Sequence, residues 1–600
     1  MSVISLEIIN NSGKDLLAKK TANGDNASLM LAKDGSYLWT GVVSTSRYQG
    51  WFFGLDNGKL IKIIDDIRPR DRRRIDGLTN NKDSVQKIGP EFAETFLMPG
   101  ANCLVYEIDK FAPVEIFFDI KDIYDSPEFG RNYRVSKEDG AIIVSFRQEG
   151  GALPEVFAAI WGDFGIIEIR EEWVKHNYEA DRLRGDVPAQ RWVFKPAIVR
   201  ASKIVIATGL TKGKAIDTVR AVWRDMGKDK KIISEGTPAA GNLLPGRITV
   251  DDAGLAKEFA ANALKMLYVK NGAGVSLRAG LPWFFQVWRR DEAVSLKGVS
   301  FFDRAAAREM FWHRIDDLKA NNYKFGDSAD AVGWLFLRAG EFIKAGLLGA
   351  PEKQAVFCAL GKTIEKLLVE DTRGSLAVSG PKLTWMDSLP RAGAAIEIQA
   401  LRLNMYSLAA EIASDKEEKT YYRGLEAAAW IKVRDKFFSA GKLADIIDPD
   451  SGRQDQRVRP NVFLAAYAYP ELLKKSEWEE VFDNVLADLW FDWGGLSTLD
   501  KNDGEFCGQD TGASPAAYHN GDSWFWVNNI AAIVLARLDE NKYKQYIDKI
   551  FEASVSDILW NGAIGCASEI SPAQNYRPAG CVNQAWSAAT FLELCREIKK

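Results

Sequence analysis

Asp387 and Glu569 sit in loops rich in indole, amide and guanidinium side chains, and two carboxylates so placed could cleave an acetal. Acetal cleavage needs a proton for the departing oxygen and a base, or a nucleophile, on the other face of the ring. Asp387 lies between Trp385-Met386 and Pro390-Arg391. Such flanks can strip water from a carboxyl group and raise its pKa into the range of a general acid. The alternative for an Asp just ahead of a helix is that it only caps a turn. Asp291, Asp330, Glu397, Asp510 and Asp522 compete for the same roles, and spacing alone does not rank them.

Five segments share this chemistry: GLPWFFQVWRRD (Gly280 to Asp291), TWMDSLPR (Thr384 to Arg391), RPNVF (Arg459 to Phe463), AYHNGDSWFW (Ala517 to Trp526) and the stretch from Glu569 to Trp586 that ends in GCVNQAW. Indole faces can cover the apolar face of a sugar, while forked polar side chains bond its hydroxyls. Any one segment could equally be core, with a buried Trp satisfied by a polar neighbour. Five in one region favour a polyhydroxylated ligand.

These segments must be held by helices. Residues 382 to 412 run from a loop into a helix with Ile398, Leu401, Met405, Leu408 and Ile412 on one face. Periodicity predicts helices over 252–270, 291–299, 303–320, 328–348, 352–369, 395–412, 417–437, 461–473, 476–489, 523–537, 541–556 and 584–597. Ser476-x-x-Glu479 has a capping-box pattern. The indole-rich segments fall in the connections, where a helical scaffold carries function.

The first 210 or so residues read as β. Short apolar or alternating runs recur: Val3 to Ile9, Trp51 to Leu55, Leu60 to Ile64, Cys103 to Ile108, Val114 to Ile120, Ala141 to Phe146, Phe157 to Trp161, Trp192 to Val199 and Ile204 to Ala207. Asp56-Asn57-Gly58 and Glu138-Asp139-Gly140 are hairpin signals. This predicts an antiparallel β-sandwich over residues 1–226, closed by a helix over Lys214 to Asp225. A Gly-, Pro- and Lys-rich linker follows over 227–250, then a helical domain over 251–600. TGLTKGK (Thr208 to Lys214) is one residue short of a phosphate loop and lacks its Ser or Thr, so a nucleotide site is rejected.

Composition narrows the class. The chain has 600 residues, 46% hydrophobic and 27% charged, as in a globular protein of more than one domain. A net charge of −4 argues against a nucleic-acid partner. The basic run Arg68 to Arg74 is broken by Asp71 and reads as a solvated or ion-paired loop. Six cysteines with no C-x-x-C pair disfavour zinc and suit a reducing compartment, the cytoplasm. The N-terminus reads as a strand rather than a signal peptide, and no apolar run suits a membrane span. Three scattered histidines (His176, His313, His519) disfavour a histidine metal site or a Ser-His-Asp triad, so neither metal nor organic cofactor is expected. Nothing in the sequence specifies an oligomeric state.

The segment GLPWFFQVWRRDEAVSLKG resembles the opening of the glucosidase domain of glycogen debranching enzymes. TWMDSLPRAGAAIEIQAL, RPNVFLAAYAYPELL, GGLSTLDKND, AYHNGDSWFW and ASEI…GCVNQAWS resemble later motifs of that family in the same order, over about residues 275 to 598. SYLWTGVVSTSRYQGWFFGLDNG is weakly similar to the family's N-terminal module around Arg47, Tyr48 and Gly50. The resemblance implies an (α/α)6 toroid that releases glucose from α-1,6 branch stubs of a glycogen-like α-glucan, with inversion. It implies Asp387 as general acid and Glu569 as general base. It also implies that Arg290 and Asp291 grip the terminal glucose. Further pocket positions would be Trp288, Asp330, Trp385, Arg391, Glu397, His519, Trp524, Gln584 and Trp586.

Three departures stand out. Arg289 replaces the family's usual Gly, Gln49 replaces its N-terminal His, and only three residues separate Asp387 from Arg391 where the family often has a longer insert. The chain also has no room for a transferase barrel beside the sandwich and the toroid. Rival readings are a glucoamylase-like exo-α-1,4-glucosidase, a hydrolase of another small α-glucoside, and a non-catalytic glycan-binding protein.

Overall fold

The computed structural model describes residues 6–8, 17–20, 26–55, 58–71, 74–151, 153–228, 250–271, 274–509 and 515–599. Asp56-Asn57, Asp510 and most of the expected linker lie outside the described residues. Packing divides the chain into two compact units. One holds residues 1–255, 265–271 and 558–566, the other 256–264, 272–557 and 567–600.

The first unit is β-rich. Sixteen strands share one hydrogen-bonded sheet among the described residues, antiparallel except where Ala563–Ile564 runs parallel beside Ser28–Lys33. Two strands of 20 residues, Cys103–Asp122 and Gln190–Gly209, pair with each other at its centre. The sequence reading split each of them in two. Register shifts between Glu107 and Ala112 and between Glu115 and Phe118 carry the first strand through its polar, Pro-containing middle. A bulge absorbs such a stretch without ending the strand. The turn at Asp139-Gly140 has φ of 48° and 86°, the two positive values of a type I′ hairpin, as its sequence predicts. Val105, Ile143, Ala159 and Val205 cover one face together with Ala215 and Val219 of the helix Lys212–Lys228.

The second unit is helical. Six of its helices each follow directly on a loop that carries candidate site residues: α1 (Arg289–Ser300), α2 (Ala331–Lys344), α3 (Ile396–Ile412), α4 (Asn461–Ala468), α5 (Phe525–Asp539) and α6 (Ala585–Glu597). Packing runs from α1 to α2, α3, α4, α5 and α6 in turn, and α6 returns to α1. Other helices, including Arg304–Ala320, Lys416–Phe437 and Lys544–Ser556, pack against this set.

Helix α3 departs from its amphipathic reading. Besides the expected apolar face, Glu397, Gln399 and Arg402 are buried, because α3 is flanked by α2, α4 and two further helices. The expected 461–473 helix ends at Ala468 and continues as a 3-10 turn over Pro470–Leu472, since Pro470 cannot supply the next amide hydrogen. The capping box at Ser476 is displaced: the helix begins at Lys475, and Glu477 accepts the Lys474 amide at 2.7 Å. The six cysteines form no disulfide. No helix among the described residues is long and apolar enough to cross a membrane.

Candidate active site

Short antiparallel ladders bring distant loops together at the N-terminal ends of α1 to α6. Gly280 pairs with Gln584, which joins the loop before α1 to the loop before α6. Ser523 and Trp524 pair with Ser571 and Ile570, and the Phe525 amide donates to the Glu569 carbonyl at 3.3 Å. Ala394 and Ala395 pair with Ile447 and Ile446, which sets Asp445 beside the start of α3. These ladders convert remote sequence positions into neighbours. A loop alone would not hold a side chain that closely.

Arg290 and Asp291 occupy the first turn of α1. The Arg290 guanidinium donates to Asp387 Oδ2 at 3.2 Å and lies 3.8 Å from both Asp291 Oδ2 and Asp330 Oδ1. Its only hydrogen bond among these is therefore to Asp387. Burial pushes Asp291 up to about 7, Arg290 pulls it down, and Asp387 and Asp330 push it up again. Ser328 donates to Asp330 Oδ1 at 2.6 Å. Gln584 Nε2 donates to Asp291 Oδ1 at 3.4 Å, and Trp586 lies under the Arg290 guanidinium at 5.9 Å.

The two leading carboxylates differ in access. Asp387 keeps 47% of its side chain exposed, while Glu569 is buried. Desolvation by the surrounding protein raises Asp387 above the ordinary range, Arg290 opposes this, and Asp330 adds to it. Glu569 is held from both sides. Tyr518 donates its hydroxyl to Oε1, and the Cys581 amide donates to Oε2 at 2.8 Å. Burial nevertheless pushes Glu569 up to about 7, against the lowering by Tyr518 and Cys581, with Asp291 and Asp387 adding to the rise. Burial thus works against the ionised form that a general base needs, and the two donors work for it.

Trp385 is buried and donates to Asn461 Oδ1 at 2.7 Å. Its edge meets Trp524, Trp526 and His519, with ring centroids 5.3–5.5 Å apart. His519 stacks on Trp524 at 5.0 Å and meets the Ser388 hydroxyl through Nδ1 at 2.6 Å. Burial holds His519 well below the usual histidine range, and Arg290, Arg459 and Arg391 push it the same way, so its ring is neutral. Trp526 stacks on Trp586 at 4.8 Å. Trp288 stands apart from these indoles, with 43% of its surface open to solvent.

Arg391 and Glu397 spend their polar groups within the protein. Arg391 forks to Glu397 at 2.7 and 3.2 Å and to Asp445 at 2.9 and 3.0 Å. Asp445 also accepts from Asn461 at 2.7 Å. This network holds Asn461 under Trp385, so both residues reach the site through the indole.

Arg290 Nε, Asp330 Oδ2, Gln584 Oε1 and Trp586 Nε1 are buried without a hydrogen-bond partner among the described residues. Buried polar groups are almost always satisfied, so these four atoms keep hydrogen-bonding capacity near Asp291 and Asp387. No group of three His, Cys, Asp or Glu among the described residues is arranged to hold a metal ion. Tyr518, Asp445 and the Cys581 amide hold candidate site residues, and the sequence reading missed them. Tyr518 lies inside the AYHNGDSWFW segment and could have been found there; a backbone amide leaves no residue signal.

Residues 362–593 match the family model described as amylo-alpha-1,6-glucosidase. This match supports a glucoamylase-like, debranching-type kinship for that segment of the chain. Asp387 and Glu569 fall inside the matched amylo-α-1,6-glucosidase segment, while Trp288, Arg290, Asp291 and Asp330 lie upstream of it. In fold the chain is similar to a bacterial glucoamylase solved in complex with acarbose, with a TM-score of 0.59, 12% identity and 98% of each chain covered. A glycosidase solved with glucose aligns at a TM-score of 0.44 and 12% identity, covering 59% of this chain and 99% of that one. No curated protein matches the chain significantly.

Proposed function

We propose that the protein releases glucose from α-1,6 branch stubs of glycogen-like α-glucans by an inverting mechanism. One observation carries this reading: an open carboxyl, Asp387, and a buried, doubly held one, Glu569, share a single electrostatic neighbourhood. Asp387 is the general acid, placed where a leaving group can depart towards solvent. Glu569 is the general base that orients water on the far side of the anomeric carbon. Arg290, hydrogen-bonded to Asp387, fixes its direction. Inversion needs room for that water, so the two carboxyl groups are expected roughly 6.5–9.5 Å apart in the substrate complex. The return of α6 to α1 supports an (α/α)6 toroid, and six unpaired cysteines support a cytoplasmic setting.

Glucose release from a phosphorylase-limit dextrin, compared with maltose, isomaltose and trehalose, tests the substrate. Proton NMR of the first product then reads the anomer: β-glucose supports inversion, and α-glucose refutes it. The fold-level likeness to a glucoamylase favours one second reading, an exo-acting α-1,4-glucosidase, for which maltose would be the better substrate. Saccharide binding without any turnover would point to a glycan-binding protein instead. Asp387→Asn and Glu569→Gln are each expected to cut kcat by at least about 10³-fold while leaving the fold intact.

A further inference from the structure

The helical unit contains a cavity of about 290 Å³ that none of Asp387, Glu569, Arg290 or Asp291 lines. Its wall combines the apolar side chains Leu443, Val458 and Val485 with the polar groups of Asn484, Asp488 and Arg459. The volume is at the small end for a ligand pocket, enough for one or two sugar rings.

Two of its polar groups keep hydrogen-bonding capacity to spare. Arg459 is buried, and its two terminal nitrogens donate to the Thr498 and His519 carbonyls and to Asn520 Oδ1 at 2.7–2.9 Å. Its Nε carries no hydrogen bond and lies 3.8 Å from Asp445 Oδ2. Asp488 is partly buried, and Lys442 and Lys501 act on its carboxylate through their charge. Asn484 spends its Nδ2 on the Gly441 carbonyl at 3.0 Å, which leaves its amide oxygen as an acceptor.

An anion would meet Asp488 and Asp445 here, and a cation would meet Arg459 and Lys442. A neutral ligand that both donates and accepts, over an apolar wall, suits the cavity best. Hydroxyl groups do both. We propose that this cavity is a second saccharide site, separate from the candidate active site, that takes a glucose- or maltose-sized ligand. Asp445 and Arg459 form its inner wall. Asp445 holds Arg391, and Arg459 holds the His519 carbonyl, so a sugar bound here rests against the framework of the active site.

The choice of a sugar rests on the active-site reading; the spare hydrogen-bonding capacity in the cavity does not. Titration of Asp387→Asn protein with glucose and with maltose, followed by calorimetry and ligand-observed NMR, tests the site without turnover. Two saturable events are expected, one of them weakened at least tenfold by Asp488→Ala and abolished by the cavity-filling Val485→Trp. Asp488→Ala in the otherwise native chain should keep normal turnover. A single event lost through the Asp488 and Val485 changes but not through Asp291→Asn would uphold this site and sink the active-site reading. A single event lost only through Asp291→Asn, no event at all, or two events untouched by Asp488→Ala in protein with an unchanged melting temperature would overturn the proposal.

Discussion

Tyr518 donates its phenolic hydrogen to Glu569 Oε1, opposite the Cys581 amide that donates to Oε2, and so fixes both oxygens of a carboxylate that burial pushes up to about 7. The phenol favours the ionised form, so its loss must raise Glu569 further. Tyr518→Phe is therefore expected to move the acid limb of kcat/KM to higher pH. At pH 6 the rate should fall on the order of tenfold. An unchanged pH profile would show that Glu569 is not the base.

Gly580 makes room for the same carboxylate. Its φ is +68°, and a Cβ there would lie 2.4 Å from Glu569 Oε2 and 2.9 Å from Ile570 Cγ1. Gly580→Ala must displace Glu569 or the loop that holds it. A shift of about 1 Å at a reacting group can cost about 10²-fold. We expect that loss in kcat with KM nearly unchanged, and steady-state kinetics beside a thermal melt will read it. Full activity would mean that the loop tolerates the shift or that Glu569 is not at the chemistry.

Arg391 is a different case, because it faces two carboxylates rather than a ligand. Burial works against its charge, but Asp445 and Glu397 overcome this and hold its pKa above the ordinary value. Arg391→Met would leave Glu397 buried and unpaired and Asp445 with only Asn461 and the more distant Arg459, at a cost of about 3–5 kcal/mol. Lysine cannot reproduce the fork, so Arg391→Lys should recover only part of it. Urea denaturation checks the loss. If Arg391 instead gripped the sugar directly, KM would rise with little change in stability.

Three buried acids make stability fall towards alkaline pH. Asp291, Asp557 and Glu569 are each pushed up to about 7 by burial. Between their ordinary values near 4 and this raised value the folded chain binds more protons than the unfolded chain. Their contribution is thus complete in acid and is lost as pH rises through about 7. Asp65 and Glu341 are shifted the other way, and their contribution is constant above about pH 5. His519, held neutral by burial, works the other way below its ordinary value, but it sets one proton against three, so calorimetry should still show Tm declining from pH 5 to pH 7. Asp557 accepts the Ser568 amide at 2.8 Å, one residue before Glu569, and Asp557→Asn should flatten the decline. A Tm that rises over this interval would contradict the assignment.

Periodicity determined most of the helical unit. The expected ranges 303–320, 395–412, 417–437 and 584–597 differ from the observed helices by one residue at most, because a 3.6-residue apolar repeat is a local property of the chain. The order of β-rich and helical regions and the family resemblance over residues 362–593 were legible for the same reason: run lengths, turn residues and contiguous motifs are all written locally.

Only the tertiary structure decided what depends on partners remote in sequence. Cys103–Asp122 is one strand because neighbouring strands pair along its whole length and a bulge absorbs Asp109 to Pro113, whereas the sequence there reads as a break. Ala563–Ile564 lies between segments of the helical unit in sequence yet pairs with Ser28–Leu29 in the β unit. Arg391 and Glu397 look like sugar contacts in sequence, but packing α3 beside Asp445 turns them on each other. The protonation of Glu569 was likewise invisible, since a pKa follows from the desolvation and charges that burial imposes, and those come from Tyr518, Cys581, Asp291 and Asp387 gathered by the fold.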